Sequence, residues 1–500
     1  DLSPAGRLSD GPMRIYTGGR RCPATGSSVP AFPKGRLKII MARQNHTQMF
    51  PSEWRAGVTL SGVYALRMLG MFLVLPVLSL YAASLPGAEN NKTLVGMAMG
   101  IYGLTQAALQ LPLGIASDKF GRKKVIYVGL IVFAAGSFLA AAADSLHMLV
   151  AARAVQGAGA VSAAVTALLA DLTRDEVRTR AMAMIGLSIG LTFSVSLVLA
   201  PVIADFIGVP GLFMLTGALT VSSIAVVAWM TPDPEVSKFH EDAQTQPSRM
   251  GEVLKNRQLL TLDFGIFALH AAQMALFTAL PFALENLGLM KIQHWKVYLP
   301  STVTGLIVMV PLIIVGETRG KLKQVFVLGI ACIALAQAGL LFGLHSVWLI
   351  TGYLVVYFIG FNVLEASLPS MVSKIAPPDL KGTAMGVYNT LQSVGLFVGG
   401  ASGGLLFQHY GFASIFAFCC VLMGVWLLIA LCSPAPNPVK NISMPVGTQW
   451  RCNTDLLFRA LSELDGVESV AFSADRQTVY IKALQKGFDQ EAAEKIISGV

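Results

Sequence analysis

Long apolar segments recur twelve times between residues 56 and 432, each followed by a short polar stretch. A helix needs about 20 mostly apolar residues to cross a membrane, and every segment reaches that length. Buried runs of this kind also occur in soluble cores, but not twelve in succession. The sequence therefore predicts twelve membrane-spanning helices, spans 1 to 12, at residues 56–83, 93–117, 123–143, 147–170, 181–207, 211–231, 259–284, 296–316, 324–344, 347–373, 382–408 and 411–432.

Basic residues are concentrated in the loops that follow the even-numbered spans 2, 4, 8 and 10. Cytoplasmic loops of membrane proteins carry an excess of Lys and Arg, so these loops and both termini are predicted to be cytoplasmic. The basic residues of these loops are Lys119, Arg122, Lys123, Lys124, Arg174, Arg178, Arg180, Arg319, Lys321, Lys323, Lys374 and Lys381, whereas the opposite loops hold Lys92, Lys291 and Lys296.

The polar, Pro-containing stretch 232–258 divides the spans into two sets of six, at 51–231 and 259–432. Its composition is typical of a linker. The two sets resemble each other, because Asp118–Lys124 aligns with Glu317–Lys323 at an offset of 199 residues. We therefore predict an all-α membrane protein built from two parallel six-helix repeats, with the substrate path at their interface.

The chain after the last span has the character of a soluble domain. Ser433 and the prolines of segment 433–440 end span 12, and residues 441–500 follow as a cytoplasmic domain. Its predicted order is strand, helix, strand, strand, helix, at 441–446, 448–464, 467–473, 478–484 and 489–497. This order fits a ferredoxin-like α+β domain whose last strand is missing or cut off. The region before its first helix holds the single Cys452 and no CxxC pair, which argues against soft-metal binding.

The first 50 residues differ from the rest of the chain. They hold eight basic and two acidic residues, so most of the net charge of +9 lies there, and they show no helical periodicity. We expect this extension to be disordered or mis-assigned, with Met41 or Met49 as the true start. An Arg-rich organelle transit peptide is the alternative.

Composition places the chain among membrane proteins, since 54% of its residues are apolar and only 13% are charged. Soluble domains average about 25% charged residues. The six cysteines form no metal-ligand spacing, and those inside the spans are expected to be buried thiols. No phosphate-binding loop, catalytic triad or metal cluster is visible. The sequence thus favours neither an enzyme nor a primary pump, and predicts no cofactor, metal or nucleic-acid partner.

A Gly-acid-Gly-basic motif follows span 2, at Gly114, Asp118, Gly121, Arg122 and Lys123. It resembles the loop between the second and third helices of major facilitator transporters, although Ala116 and Lys119 depart from the pattern. The resemblance implies a latch that holds the two halves together on the cytoplasmic side in the outward-open state. Asp118 would contact the N-terminus of span 11 near Gly382, and Arg122 can pair with Asp171. The alternative is a solvated loop that only sets topology.

Spans 4 and 5 also carry motifs of this family. Arg153, Gln156 and Gly157 in span 4 match the facilitator pattern, in which the arginine is linked to proton coupling. An arginine that extends to the outer interface is the alternative. Span 5 keeps Pro201 of the antiporter motif, but Ala200 replaces a glycine, which weakens the antiport assignment. Span 11 has a glycine run around Gly399 that predicts close helix packing.

Polar residues in the apolar spans are candidates for the cavity lining. Burial disfavours the charged form of an acid, so Glu365 in span 10 is the first candidate for proton coupling, with Arg67 in span 1 as its possible partner. His270 and Asn389 are further candidates, and each could instead make a structural hydrogen bond between helices. Asp263 lies nearer the inner end of span 7, where we expect it to be hydrated.

Four further segments are similar to YajR-type facilitators with a small C-terminal domain: Arg67–Pro76, Ile101–Gln106, His294–Leu299 and Lys381–Tyr388. The resemblance implies a proton-coupled secondary transporter of the bacterial inner membrane, which exports a small drug or metabolite as a monomer by alternating access. A uniporter or importer of a metabolite, and a non-transporting sensor that signals through the C-terminal domain, are the alternatives. The bilayer, protons, a small-molecule substrate and a ligand of the C-terminal domain are the expected partners.

Overall fold

A computed structural model describes residues 49–232, 249–377, 380–433, 439–447, 450, 453–472, 478–484 and 488–498. Residues 1–48 of the predicted extension and residues 233–248 of the linker lie outside this part of the chain. Within it, the spans are helices with these bounds: span 1 Pro51–Ser84, span 2 Lys92–Phe120, span 3 Arg122–Ala141, span 4 Leu146–Ala158 and Ser162–Asp171, spans 5 and 6 Asp175–Trp229, span 7 Arg257–Asn286, span 8 Trp295–Thr318, span 9 Leu322–Phe342, span 10 Val347–Ile375, span 11 Lys381–Tyr410 and span 12 Phe412–Cys432. Two short helices, Met250–Lys255 and the 3-10 turn Lys291–Gln293, precede spans 7 and 8.

Eleven helices of the described chain are long and apolar enough to cross a membrane, one fewer than predicted. The difference lies in the continuous segment Asp175–Trp229, which has a non-helical residue, Gly208, at φ 71° and ψ 170°. Ser196 donates to the Leu69 carbonyl at 3.4 Å and Thr216 donates to the Gly70 carbonyl at 2.9 Å. Twenty residues of straight helix would separate these two donors by about 30 Å. The chain therefore turns back at Gly208, and the segment forms the two predicted spans 5 and 6.

Span 4 is broken where it packs against two neighbours at once. A Cβ at Gly157 would overlap the Tyr102 carbonyl of span 2, and a Cβ at Gly159 would lie 2.7 Å from Phe133 of span 3. Small residues allow helices to approach this closely in membranes. The helix stops at Ala158 and resumes at Ser162, so both contacts are kept.

The two six-helix sets repeat each other in detail at their inner ends. Lys123 at the start of span 3 donates to the Thr231 carbonyl at the end of span 6, at 2.8 Å. Lys323 at the start of span 9 donates to the Leu431 and Ser433 carbonyls at the end of span 12, at 3.2 Å and 2.6 Å. A lysine near a helix C-terminus satisfies carbonyls that have no partner within the helix. The same interaction recurs two hundred residues later, which confirms the predicted internal repeat.

The C-terminal domain contains a three-stranded antiparallel sheet formed by β1 (Val439–Pro445), β2 (Val467–Phe472) and β3 (Thr478–Leu484). The strand order is β1-β3-β2, with β3 paired to both neighbours. Helices Thr454–Ser462 and Gln490–Ser498 complete the order that the sequence predicts. Alternating apolar residues of the sheet and one face of each helix form the core, which includes Leu457, Leu461, Val479, Ile481, Ala493 and Ile497. The described chain is thus an all-α membrane body with a small α+β domain, as predicted.

Candidate functional site

Arg122 is the centre of an inner loop cluster that also contains Ser117, Asp118 and Asp171. Its Nε donates to Asp171 Oδ2 at 3.1 Å, and its Nη1 donates to Ser117 Oγ at 2.8 Å and to Asp118 Oδ1. Only 4% of Arg122 is exposed. The ion pair with Asp171 is therefore buried, whereas the side chain of Asp118 is 26% exposed. The cluster joins the inner ends of spans 2, 3 and 4 and lies wholly within the first half.

Two glycines of the motif allow this geometry. Gly121 has φ 100°, a conformation that other residues rarely adopt, and it reverses the chain so that span 3 starts at Arg122. A Cβ at Gly114 would lie 3.3 Å from the Ala163 Cβ, so spans 2 and 4 are in close contact beside the cluster. The pairing of Arg122 with Asp171 is present, whereas the hydrogen bond that Asp118 makes in the described chain is to Arg122 and not to the start of span 11.

The contact between spans 2 and 11 lies at the other end of these helices, which the distribution of basic residues predicts to be the outer end. Thr93 donates to Gln408 Oε1 from its hydroxyl at 2.6 Å and from its amide at 3.0 Å. A Cβ at Gly96 would overlap the Gly400 carbonyl, and one at Gly103 would overlap the Ser393 carbonyl. We call this surface, from Thr93 to Gly103 and from Ser393 to Gln408, the outer contact. The two halves are therefore in close backbone contact at this end of spans 2 and 11.

Arg67 lies inside the first half and contacts neither Glu365 nor any other carboxylate in the described chain. Its Nη1 donates to Ser162 Oγ at 3.1 Å and its Nη2 donates to Tyr102 OH at 3.0 Å. The guanidinium also lies 5.3 Å from the centre of the Phe133 ring. The predicted partnership of Arg67 with Glu365 is therefore wrong, because the hydroxyls of spans 2 and 4 bind this arginine in its own half.

Arg153 is buried as well, with 3% of its surface exposed. Its Nη1 donates to Gln156 Oε1, its Nε donates to the Ala98 carbonyl at 3.4 Å, and it lies 5.0 Å from the centre of the Tyr102 ring. Gln156 in turn donates to Ser137 at 2.9 Å. Arg153 thus points into the helix bundle rather than to the membrane surface, and it shares Tyr102 with Arg67.

The second half holds a different polar group, formed by His270 of span 7, Gln392 of span 11 and Glu365 of span 10. His270 Nδ1 lies 3.2 Å from the Ile266 carbonyl, Nε2 lies 2.8 Å from Gln392 Nε2, and Nε2 lies 3.8 Å from Glu365 Oε2. A carbonyl oxygen only accepts, so Nδ1 carries a proton, and the neutral ring accepts the Gln392 hydrogen bond at Nε2. The side chain of His270 is 7% exposed and that of Glu365 33%, so Glu365 borders the space beside the ring.

Aromatic side chains connect the two halves next to this group. Phe193 of span 5 lies 5.0 Å from Phe72 of span 1 and 5.6 Å from Phe361 of span 10, measured between ring centres. Phe361 lies 6.2 Å from the ring of His270. Since Phe193 belongs to the first half and Phe361 to the second, this aromatic bridge joins the halves beside His270 and Glu365.

The remaining predicted residues lie at helix contacts. A Cβ at Gly399 would overlap the Ala271 carbonyl, so spans 7 and 11 touch through their backbones. Pro201 lies in span 5 after the fully buried Ala200. The backbone carbonyl of half-buried Asn389 accepts a hydrogen bond from Ser393 at 3.0 Å. These positions are consistent with packing roles.

Sequence reasoning missed several partners, because nothing in the local pattern distinguishes them from other residues of an apolar helix. Tyr102 and Phe193 belong to apolar runs, and only the fold brings them to Arg67, Arg153 and Phe361. Glu53 is missed too, although an acidic residue in the first turn of span 1 could have been singled out from the sequence. It pairs with Arg174 at 2.8 Å and ties span 1 to the loop after span 4.

Comparison with known proteins agrees with this architecture. The profile of the Major Facilitator Superfamily matches residues 60–400 and 319–461. The chain is 40% identical over 453 residues to the inner membrane transport protein YajR of Escherichia coli, which covers 91% of this chain and 99% of YajR. It is 25% identical to the quinolone resistance protein NorA of Staphylococcus aureus, over 70% of this chain and 89% of NorA.

Solved structures agree on the fold. The human organic anion transporter MFSD10 superposes with a TM-score of 0.58 at 18% identity, over 76% of this chain and 100% of MFSD10. The nucleoside transporter NupG superposes with a TM-score of 0.60 at 14% identity, over 75% of this chain and 99% of NupG. The profile match and the YajR relative, together with the long apolar helices, show that the chain belongs to the Major Facilitator Superfamily and is a multi-pass inner-membrane transporter.

Proposed function

We propose that the protein is a proton-coupled exporter of a small molecule, in which Glu365 and His270 bind the transported proton. The observation that supports this most directly is the 3.8 Å separation of His270 Nε2 from Glu365 Oε2 in the middle of the second half. An ionisable pair at this depth in a membrane is a functional candidate by default. The outer contact, closed in this structure, supplies one of the two states that alternating access requires.

Protonation of this pair would change the hydrogen bonds between three helices. Neutral His270 accepts at Nε2 from Gln392 of span 11. A proton on Nε2 turns this atom into a donor, so the Gln392 amide must turn or leave, and the nearby Glu365 carboxylate becomes the better partner. Span 7 would then be linked to span 10 instead of span 11. Since span 11 also forms the outer contact, the exchange offers a route from proton binding to opening.

The direction of transport is proposed from the relatives. Two of them carry the names Multidrug resistance protein 1, from Bacillus subtilis, and quinolone resistance protein NorA. Both names describe resistance, which export produces. Aromatic side chains next to Glu365 suit an amphipathic solute, because rings stack on Phe and Tyr while a polar group meets the acid.

The inner loop cluster is proposed to act as a latch in the opposite state. In this structure the hydrogen bond of Asp118 goes to Arg122. When the outer end opens and the inner end closes, Asp118 is expected to meet the N-terminus of span 11, where backbone N–H groups attract an anion. Arg122, fixed by Asp171, keeps the carboxylate in place.

A regulatory role of the C-terminal domain is proposed from its contact with span 10. Lys482 of β3 donates to the carbonyl of Ile375, the last residue of span 10, at 3.3 Å, and lies 3.6 Å from Glu468. Span 10 carries Glu365, so a ligand or partner that moves this domain would act on the helix of the proposed proton site. The alternative function, a non-transporting sensor, would use the same contact between the C-terminal domain and span 10.

The test uses inverted membrane vesicles that are acidic inside and contain a pH-sensitive dye. Cationic, anionic and neutral solutes are added in turn to the wild type and to Glu365→Gln. We expect one class of solute to release protons from wild-type vesicles and none to do so from Glu365→Gln. Glu252→Gln is the matched control, because a hydrogen bond from Arg249 lowers the pKa of the Glu252 carboxyl and this surface acid lies outside the spans. Equal release from the wild type and Glu365→Gln would exclude the proposed site, and no release from the wild type would favour uniport or sensing.

A further inference from the structure

Asp263 of span 7 is a second buried acid in the same half, and its environment differs from the hydrated one that we predict from sequence. It was expected to be hydrated, but only 2% of its surface is exposed. Its Oδ1 has no hydrogen-bond partner in the described chain, and no described basic side chain forms an ion pair with it. An ionised carboxylate without a partner is costly in such a place. Binding of a proton or another cation by this side chain would remove that cost.

The register of spans 7 and 11 places Tyr388 beside Asp263. Gly395 faces the Phe267 backbone and Gly399 faces the Ala271 backbone, so the two helices run in parallel at a fixed offset. The same offset places Asp263 level with Leu391, less than one helical turn from Tyr388. The hydroxyl of Tyr388 is buried and also lacks a hydrogen-bond partner in the described chain.

Tyr388 is close to both acids. Both carboxylates are near enough to act electrostatically on its hydroxyl. Glu365 is ten residues before Ile375 at the inner end of span 10, or about 15 Å away, and Asp263 is six residues after Arg257 at the inner end of span 7, or about 9 Å away. The three groups thus form a series that descends from the proposed proton site towards the inner face.

The surroundings of Asp263 favour a proton over a metal ion. The polar group that the register of spans 7 and 11 places beside it is the hydroxyl of Tyr388. Alkali cations need several oxygen ligands, whereas a proton needs one acceptor and a neighbouring hydroxyl for its transfer.

We propose that Asp263 is a second proton-binding site, which receives the proton of the Glu365–His270 pair through Tyr388 and passes it to the cytoplasm. The Tyr388 hydroxyl has no hydrogen-bond partner in the described chain, so this step follows a rearrangement that brings both acids within hydrogen-bond distance of it. Protonated Glu365 then gives its proton to the Tyr388 oxygen as the Tyr388 hydroxyl gives its own to the Asp263 carboxylate. Glu365 becomes ionised, Asp263 becomes neutral, and Tyr388 ends as it began. The inference rests on the proposed function and adds the inner half of the proton path to it.

The experiment compares the wild type, Asp263→Asn and Asp263→Glu in proteoliposomes loaded with a solute that passes the vesicle test. Two rates are measured: proton-coupled flux, and solute-for-solute exchange without a net proton movement. We expect Asp263→Asn to lower coupled flux at least tenfold and to keep exchange within twofold, and Asp263→Glu to restore coupling. Tyr388→Phe should act like Asp263→Asn, because it removes the hydroxyl that transfers the proton.

Three outcomes would overturn the inference in different ways. Coupled flux at the wild-type rate in Asp263→Asn would exclude the site while the proposed function stands. A requirement for Na⁺ that Asp263→Asn abolishes would assign a metal-cation site instead. No solute-driven proton movement in the wild type would remove the proposed function itself. Asp144→Asn, in the loop after span 3, is the matched control for the loss of one carboxylate.

Discussion

Substitution of Gly96 by Leu tests whether the outer contact is the gate that this structure closes. The nearest atoms to a Cβ at Gly96 are the Gly400 carbonyl, Gly404 Cα at 2.6 Å and Gly404 N at 2.7 Å. All three belong to the backbone of the other half, so no side chain can turn away to make room. Ordinary contact distances are about 3.5–4.0 Å, and spans 2 and 11 would have to move apart by about 1 Å.

The expected magnitude follows from the cost of overpacking, about 1–3 kcal/mol. The overlap exists only while the outer ends touch, so the whole cost falls on the inward-facing state. A difference of this size shifts the equilibrium between the two states by about 5- to 150-fold. Gly96→Leu is therefore expected to hold most molecules open at the outer end. It should also slow transport, because the protein rarely returns to the inward-facing state.

The assay is labelling by a membrane-impermeant maleimide added from outside, in a variant whose six native cysteines are replaced. Ser393→Cys is the reporter, because Ser393 is 1% exposed and its carbonyl lies against Gly103 in the outer contact. We expect the labelling rate to rise at least fivefold with Gly96→Leu. Gly352→Leu is the matched control, since nothing lies within 4 Å of its Cβ. An unchanged rate in a folded Gly96→Leu protein would refute the gate.

Three further predictions concern the other contacts. Asp118→Asn should abolish transport at normal expression, because the latch loses its charge, and flux at the wild-type rate would contradict this. Phe193→Ala should raise Ser393→Cys labelling severalfold, because an aromatic pair across the halves contributes about 0.5–1.5 kcal/mol. Phe326→Ala is the control and should leave the labelling rate unchanged, because Phe326 makes its aromatic contact inside the second half. Lys482→Ala should speed amide hydrogen exchange at the inner end of span 10 about tenfold, because a charged hydrogen bond contributes about 1.5 kcal/mol. An unchanged exchange rate would show that the hydrogen bond from Lys482 to the Ile375 carbonyl does not stabilise the end of span 10.

The sequence determined the membrane body because a bilayer leaves few choices. A backbone in hydrocarbon must satisfy its own hydrogen bonds, so each apolar run of sufficient length becomes a helix. Length and hydropathy were therefore enough to predict the twelve spans, including the pair that turns at Gly208. The motif around Gly121 and Arg122 could also be recognised from sequence, because its residues are neighbours along the chain.

Tertiary structure decided which polar groups meet. Glu365 was assigned to Arg67 from sequence, but span 10 lies beside span 7, and the acid meets His270 across 95 residues of chain. The burial of Asp263 depended likewise on span 11, which packs against this face of span 7 from more than 100 residues away. Helix pairing in a membrane is set by the shape and small residues of facing surfaces, which a periodic apolar pattern does not encode. The sequence therefore determined the helices and the repeat, and only the packed fold determined the ion pair, the closed end and the buried acid.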